Sequence, residues 1–238
     1  MKGSFTISLA AVLAAFVAGS AAQSASATVP AAATTRQLGH VPSHRSGMAM
    51  APHGSGNILY DQTAAYDGSG APVVQFSDAS LRSFDAAGAD DFVVGGAGWT
   101  ISGFNFLAFN AALGTVGNLA DVYVYADSGG LPSATPVCTS LGSTNTPSAY
   151  DNATTLAAIT LNQPCVLDAG TYWVSLAFEH AGGLDGNVPY YWGLSTDAGN
   201  GAAGLWRQPN GTTCTEWSPL ASCFDGETEH DYAFQRPR

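Results

Sequence analysis

The sequence predicts an all-β protein, built as an antiparallel two-sheet β-sandwich. Turn-forming residues recur about every ten positions from residue 57 onward, and they separate short segments rich in aromatic and β-branched residues. None of these segments has apolar residues at helical spacing. Ten candidate strands follow, at Ile58–Asp61, Val73–Ser77, Asp91–Val94, Trp99–Asn110, Asp121–Ala126, Thr154–Leu161, Thr171–Phe178, Tyr190–Ser195, Gly204–Gln208 and Tyr232–Gln235.

The alternation of side chains is clearest in two of these strands. In Thr171–Phe178, one face carries Tyr172, Val174, Leu176 and Phe178, and we expect this face to lie in the core. The same reasoning places Val122, Val124 and Ala126 inside. It therefore turns Trp173, Tyr123 and Tyr125 to the opposite side of their strands.

The chain begins with features of an export signal, followed by a flexible segment. Lys2 precedes the apolar stretch 7–18, which is too short to cross a bilayer as a helix. Small residues allow cleavage after Ala22, which we favour, or after Ala27. Residues 23–56 are rich in Ala, Ser, Pro, Thr and Gly and predict a flexible linker. The expected organisation is therefore a signal peptide (1–22), a linker (23–56) and a β-sandwich domain (57–238), in a protein secreted to the extracellular space or periplasm.

The charge of the chain excludes two classes of partner. There are 18 acidic and 7 basic residues, which give a net charge of −11 at pH 7. A strongly acidic surface repels phosphate backbones and anionic lipids, so we expect neither nucleic acid nor a membrane as partner. The remaining partners are a glycan or another extracellular protein.

The four cysteines predict disulfides, because their number is even and an export signal precedes them. Nearest-neighbour pairing joins Cys138 to Cys165 and Cys214 to Cys223, although four cysteines allow three pairings. The spacing fits none of the paired-cysteine zinc patterns.

Two sets of residues, one of histidines and one of aspartates, could bind a metal ion, but the predicted local structure of each set opposes this. His40 and His44 would need a helix, which Pro42 opposes. Asp90 and Asp91 would offer carboxylates to calcium together with Asp127, but successive strand residues point to opposite faces. We therefore expect no metal and no cofactor, although a calcium site stays an open alternative.

Five aromatic residues are the candidate ligand-binding residues. Exposed aromatic rings can stack on a sugar ring, while nearby Asp or Asn side chains or Arg207 bind its hydroxyls. The competing interpretation is that the rings cover the second side of the sandwich beneath long loops. The five are Trp173, Tyr123, Tyr125, Trp192 and Trp206.

The sequence contains no catalytic signature. His180 and His230 each lie beside a carboxylate in the chain, but neighbours on a strand point away from one another. Neither a serine elbow nor a metalloprotease motif is present. A hydrolase is therefore the third alternative, behind a non-catalytic recognition or structural module and a carbohydrate-binding module.

Several sequence blocks together resemble a group of secreted bacterial β-sandwich modules with a jelly-roll-like arrangement. The resemblance spans roughly Leu59 to Gln235 and implies the fold and the compartment, but no catalytic residue. The blocks are Ala89-Asp90-Asp91-Phe92, Trp99-Thr100-Ile101, Tyr125-Ala126-Asp127-Ser128-Gly129-Gly130-Leu131-Pro132, Ala169-Gly170-Thr171-Tyr172-Trp173-Val174-Ser175 and Asp231-Tyr232-Ala233-Phe234.

Overall fold

The computed structural model describes residues 39–40, 58–110, 116–183, 189–196, 201–225 and 230–237. The expected signal peptide and most of the expected linker, with His44 and His53, lie outside these ranges. Most of the described residues belong to β-strands, so the all-β prediction is confirmed. No helix within the described ranges has the length and apolar character needed to cross a bilayer.

Fifteen strands and two short helices make up the described fold. The helices are a 3-10 helix at Ala79–Phe84 and α1 at Leu220–Cys223. The strands are β1 Gly39–His40, β2 Ile58–Asp61, β3 Tyr66–Pro72, β4 Val74–Phe76, β5 Ala87–Val94, β6 Trp99–Asn110, β7 Leu119–Asp127, β8 Pro132–Ala149, β9 Thr155–Leu167, β10 Gly170–His180, β11 Tyr190–Ser195, β12 Leu205–Arg207, β13 Ser218–Pro219, β14 Asp231–Tyr232 and β15 Phe234–Pro237.

Each of the ten candidate strands corresponds to strand structure, and β2, β6 and β11 have the predicted bounds. The candidate Tyr232–Gln235 is divided between β14 and β15. Four strands were not predicted, namely β1, β3, β8 and β13. Of these, β1 lies inside the expected linker and pairs with β3, so this part of the linker is attached to the sheet.

Strand β3 was not predicted, because it contains small residues in place of the apolar residues by which a strand is recognised in a sequence. A Cβ atom at Gly70 would lie 2.8 Å from the ring of Phe109 and 2.9 Å from the carbonyl oxygen of Trp192. Only glycine permits this close approach to the strand beside it. Strand β8 was missed for another reason, because its residues are mostly polar and largely exposed.

The strands form one large curled sheet, and its ladders are antiparallel except for the pairing of β4 with β10 in the described part of the chain. Its main path runs in the order β1-β3-β11-β6-β9-β8-β7-β10-β5-β12-β13. Strand β8 connects the two halves, because residues 144–149 pair with β9 whereas its earlier residues pair with β7. Strand β8 therefore joins the two halves of the curled sheet, whose inner faces carry the buried apolar side chains.

The main hydrophobic core lies between these inner faces. Strands β7 and β10 contribute Val122, Val124, Val174, Leu176 and Phe178, as the alternation predicted, and all five are buried. Strands β6, β9 and β15 supply the facing residues. These are Ile101, Phe104, Phe106, Ile159, Leu161 and Phe234.

Both predicted disulfides are present. The Cα atoms are 5.9 Å apart in Cys138–Cys165 and 6.0 Å apart in Cys214–Cys223. Cys138 lies opposite Val124 of β7, and Cys165 lies opposite Ile101 of β6. This disulfide therefore joins β8 to β9 beyond the last residues at which these strands pair with each other.

The buried carboxyl group of Asp90 on β5 joins three segments that are distant in the sequence. Asp90, only 1% exposed, accepts hydrogen bonds from Gln62 Nε2 at 2.6 Å and from the backbone N–H of Tyr232 at 2.5 Å. Burial, with the neighbouring charge of Asp231, raises the pKa of Asp90 well above its usual value. The next residue, Asp91, points to the other face, where burial raises its pKa to about 6.

Removing the Cys138–Cys165 bridge should destabilise the fold. The double variant Cys138→Ala/Cys165→Ala should lose about 3 to 4 kcal/mol of unfolding free energy, because the bridge closes a loop with a sequence separation of 27 residues. Urea denaturation measures this loss. The matched variant Cys214→Ala/Cys223→Ala should lose less, about 2 to 3 kcal/mol, since its separation is 9 residues. Unchanged stability of the first variant would contradict this role.

The stability of the protein should fall as the pH rises from about 4 to about 6. Folding raises the pKa of Asp91 from its ordinary value of 3.8 to about 6, so the folded chain binds more protons than the unfolded chain between these values. The free energy of unfolding is then highest at the acidic end of this window and decreases towards its upper end. Denaturation across the window should show a smaller decrease in Asp91→Asn, whereas Val166→Ala, which changes an exposed side chain that does not titrate, should retain the wild-type slope. Equal slopes in all three proteins would be inconsistent with the buried position of Asp91.

Candidate functional site

The solvent side of β7 and β10 carries a continuous row of odd-numbered side chains, which we call the outer stripe. It consists of residues 119, 121, 123, 125 and 127 on β7 and residues 171, 173, 175, 177 and 179 on β10. The two strands are paired antiparallel, with Tyr125 opposite Trp173 and Tyr123 opposite Ser175. Because these strands alternate strictly, every stripe residue faces away from the main core.

Aromatic side chains occupy the centre of the outer stripe. The Tyr123 and Tyr125 rings are stacked with their centroids 6.1 Å apart, and Tyr125 meets the edge of Trp217 at 6.3 Å. The guanidinium carbon of Arg207 lies 4.1 Å from the centroid of the Trp217 ring, which is a cation–π contact. Tyr123, Trp217 and Arg207 are partly exposed, so these three groups form the accessible surface of the cluster.

The structure brings together three of the five predicted aromatic residues and separates the other two. Tyr123, Tyr125 and Trp173 share the outer cluster. Trp192 stacks on Tyr232 at 4.2 Å, and Trp206 packs edge-on against Phe224 at 4.9 Å, so both belong to the main core. The five rings therefore do not form one exposed platform.

Trp173 faces outward as its strand position requires, yet it is completely buried. Leu205 of β12 and the partly buried Ala202 belong to the same cluster as Trp173, and the Trp173 indole N–H donates to Asp127 at 2.9 Å. Burial of this ring agrees with the interpretation in which loops cover the second side of the sheet. Ligand contact at the outer cluster thus depends on Tyr123 and Trp217 instead.

Sequence reasoning missed Trp217, whereas it named Arg207 among the polar residues that could bind sugar hydroxyls. Arg207 lies beside Trp206 on β12, and since Trp206 enters the main core, alternation places Arg207 on the outer side. That signal was available in the sequence. Trp217 lies outside any strand, and only the fold of the segment closed by Cys214–Cys223 brings it to Arg207.

A cleft of about 770 Å³ lies at the Leu119 end of the outer stripe. Its wall includes residues of β4, β7 and β10 and of the segment that precedes β7. The lining residues are Gln75, Phe76, Ser77, Arg82, Asn110, Val116, Gly117, Asn118, Leu119, Asp121, Leu141, Glu179, His180, Ala181 and Tyr190.

Two carboxyl groups from neighbouring strands meet in this cleft. Asp121 lies opposite Ala177, two residues before Glu179 on β10, so the two carboxyl groups lie on the same side of neighbouring strands. Burial, followed by the charge and the hydrogen bond of Asp121, raises the pKa of Glu179. The backbone N–H of Gly142 donates to Asp121 Oδ1 at 2.9 Å and supports the pair from β8.

The position of Gly142 follows from the irregular pairing between β7 and β8. The register shifts between Ala120 and Val122, and Gly142 adopts a φ of 59° opposite this shift. This left-handed conformation favours glycine. The irregularity turns the N–H of Gly142 towards the carboxyl pair instead of the β7 backbone.

His180 forms part of the cleft wall and is engaged at both ring nitrogens. Its Nε2 lies 3.1 Å from the carbonyl oxygen of Gly183, and its Nδ1 lies 2.9 Å from the hydroxyl of Tyr190. A carbonyl can only accept, so Nε2 carries a proton and donates to Gly183, while Nδ1 shares a hydrogen bond with the Tyr190 hydroxyl. The arrangement fixes His180 in the wall, and neither nitrogen is positioned to remove a proton from a ligand.

The remaining sequence candidates do not meet at one site. His230 approaches Asp67 at 3.7 Å, and neither residue lines the cleft. Asp90 and Asp91 occupy opposite faces of β5, as alternation predicted. In the described part of the chain, no three His, Cys, Asp or Glu side chains are grouped so that they would hold a metal ion.

Comparison of the chain with protein-family models, with curated proteins and with solved structures finds no match. The assignment of a function therefore rests on the geometry of the outer stripe and of the cleft beside it.

Proposed function

We propose that this protein is an exported, non-catalytic recognition module with a two-sheet, jelly-roll-like fold. The observation that carries this proposal is the partly exposed group Tyr123, Trp217 and Arg207 on the solvent side of the sheet. Such a group offers aromatic and cationic contact area, and Tyr123 and Arg207 lie on strands that pack against the core. It is a recognition surface and not part of the main core.

The non-catalytic role is supported by the state of the ionisable groups. His180 is held by Tyr190 and Gly183, so it lacks a free nitrogen for general-base chemistry. Asp127 accepts from the Trp173 indole, and Asp91 accepts from the backbone N–H of Ala202 at 3.1 Å. These contacts give the carboxylates structural roles in the cluster.

Export is supported by the disulfides. Both bridges are formed, which suits an oxidising compartment outside the cytoplasm. The signal features at the start of the sequence agree with this compartment. A secreted module must also stay soluble, and the net charge of −11 serves this requirement.

A glycan is the ligand class that the outer cluster favours. Sugar rings present an apolar C–H face that packs on aromatic rings, and their hydroxyls bind charged planar groups. Tyr123 and Trp217 supply the rings, while Arg207 supplies donors beside them. The exposed carboxylate of Asp127 lies at the end of the same stripe.

Binding to a glycan array should depend on the partly exposed rings. We expect Tyr123→Ala and Trp217→Ala each to weaken binding of the best array ligand by about tenfold, because one stacked ring contributes about 1 to 2 kcal/mol. Isothermal titration calorimetry with that ligand measures the change. Val166→Ala is the matched control, since Val166 is 75% exposed on β9 and lies outside the stripe.

Three results would count against the proposal. The first is the absence of any glycan or protein ligand for the folded wild-type protein. The second is equal loss of binding in Val166→Ala, which would indicate a general effect. The third is hydrolysis of the bound glycan, which would show that the protein is an enzyme instead of a non-catalytic recognition module.

A further inference from the structure

We propose that the cleft beside Asp121 and Glu179 is a binding site for a neutral polyhydroxylated ligand, of the size of a monosaccharide or disaccharide. This inference deepens the recognition function proposed above, on which it rests. It assigns ligand chemistry to a second site at the end of the outer stripe, separate from Tyr123 and Trp217.

The size of the cleft suits a small molecule. A volume of about 770 Å³ falls within the range of roughly 300 to 1,000 Å³ that is typical of small-molecule sites. Exposed leucines, Leu119 and Leu141, line it beside the polar groups. The cleft therefore offers apolar contact and hydrogen-bonding groups together, as the two sides of a sugar ring require.

The polar side chains that line the cleft are suited to hydrogen-bond with the hydroxyl groups of a ligand. A hydroxyl both donates and accepts, and it pairs best with groups that do the same. The neighbouring carboxyl groups of Asp121 and Glu179 present several hydrogen-bond acceptors side by side. The side-chain amides of Gln75 and Asn118 add one donor group and one acceptor each.

The charge of the lining favours a neutral ligand over an ion. The lining contains charged groups of both signs, namely the carboxyl groups of Asp121 and Glu179 and the guanidinium of Arg82, which lies 4.0 Å from Asp85. A cation would meet Arg82 and an anion would meet the two carboxyl groups, whereas a neutral hydroxyl can bind to either kind of group.

The walls of the cleft are held in place before any ligand arrives. Asn145 donates from its side chain to the carbonyl oxygen of Gly117 at 2.8 Å and from its backbone to that of Asn118 at 2.9 Å. A Cβ atom at Gly117 would lie 2.8 Å from the carbonyl oxygen of Glu179, so glycine permits this wall to approach β10. A preformed wall lowers the entropic cost of binding.

The test uses three chemical forms of the same sugars. Neutral, amino and uronic acid forms of glucose, galactose and mannose, together with neutral disaccharides, are titrated into the isotopically labelled full-length protein at pH 5, and NMR shifts report binding. We expect a neutral sugar to bind and to shift the amide signals of Gly117, Asn118 and Gly142. Stronger binding of the amino or uronic acid form, or no binding by any compound, would overturn the proposal.

Substitutions at Glu179 separate hydroxyl recognition from charge recognition. Glu179→Ala should weaken binding of the neutral sugar at least about tenfold, because it removes the side-chain hydrogen-bonding group. Glu179→Gln should keep the affinity within about threefold, since an amide retains an acceptor and offers donors at the same position. Glu216→Ala, at an exposed residue outside the cleft lining, is the matched control.

The outcomes distinguish this inference from the broader function. If a sugar binds and Glu179→Ala has no effect while Tyr123→Ala abolishes binding, the cleft is not the site and the recognition function stands. If Glu179→Gln loses binding as fully as Glu179→Ala, the ligand requires a charged carboxylate and the neutral class is wrong. Thermal unfolding of each variant verifies that loss of binding does not reflect loss of fold.

Discussion

The strict alternation of side chains along β7 and β10 is the constraint on which the rest of the structure depends. Even-numbered residues such as Val124 and Val174 enter the main core, while odd-numbered residues build the outer stripe. A slip of one residue would exchange these two sets. The position of the candidate surface is therefore inseparable from the packing of the core.

Several contacts fix this register. Strand β10 is paired with β5 on one side and β7 on the other over most of its length. Cys138 is locked opposite Val124 through its bridge to Cys165. At the far end, the N–H of Gly142 binds Asp121, so the irregular pairing there orients the carboxyl pair without displacing the strand.

The outer stripe differs from an ordinary solvent-facing sheet surface because part of it is covered. Leu205, Trp173 and Tyr125 form a small second cluster outside the main core, and Trp217 packs against it through Tyr125. Tyr123 is left at the edge of this cover, between the aromatic cluster and the cleft. Rigid support beneath partly exposed groups is the arrangement that preorganises a binding surface.

The sequence predicted those features that depend on local patterning. The bounds of Trp99–Asn110, the inward face of β10 and the nearest-neighbour disulfides all follow from alternation and cysteine order. Strand β8 could not be recognised, since its polar residues form a strand only through pairing with β7 and β9. Its position in the sheet is set by its neighbours.

The candidate sites were predicted less completely because they depend on contacts between distant segments. Alternation turned Trp173 outward, but nothing in the sequence showed that it would be buried in a cluster with Leu205. Trp192 and Trp206 lie in the main core, which local patterning did not resolve. The cleft requires Asp121 and Glu179 to meet across two strands, a proximity that only the register of β7 against β10 creates.

The central claim is that this register places Tyr123 at the accessible surface and Trp173 beneath its cover. Hydroxyl-radical footprinting with mass spectrometry measures both exposures in the same folded sample. The account predicts that Tyr123 and Trp217 are oxidised readily, while Trp173, Trp192 and Trp206 react much more slowly until the protein is unfolded. Oxidation of Trp173 as fast as Trp217 in the folded protein, or protection of Tyr123 equal to that of Trp192, would contradict it.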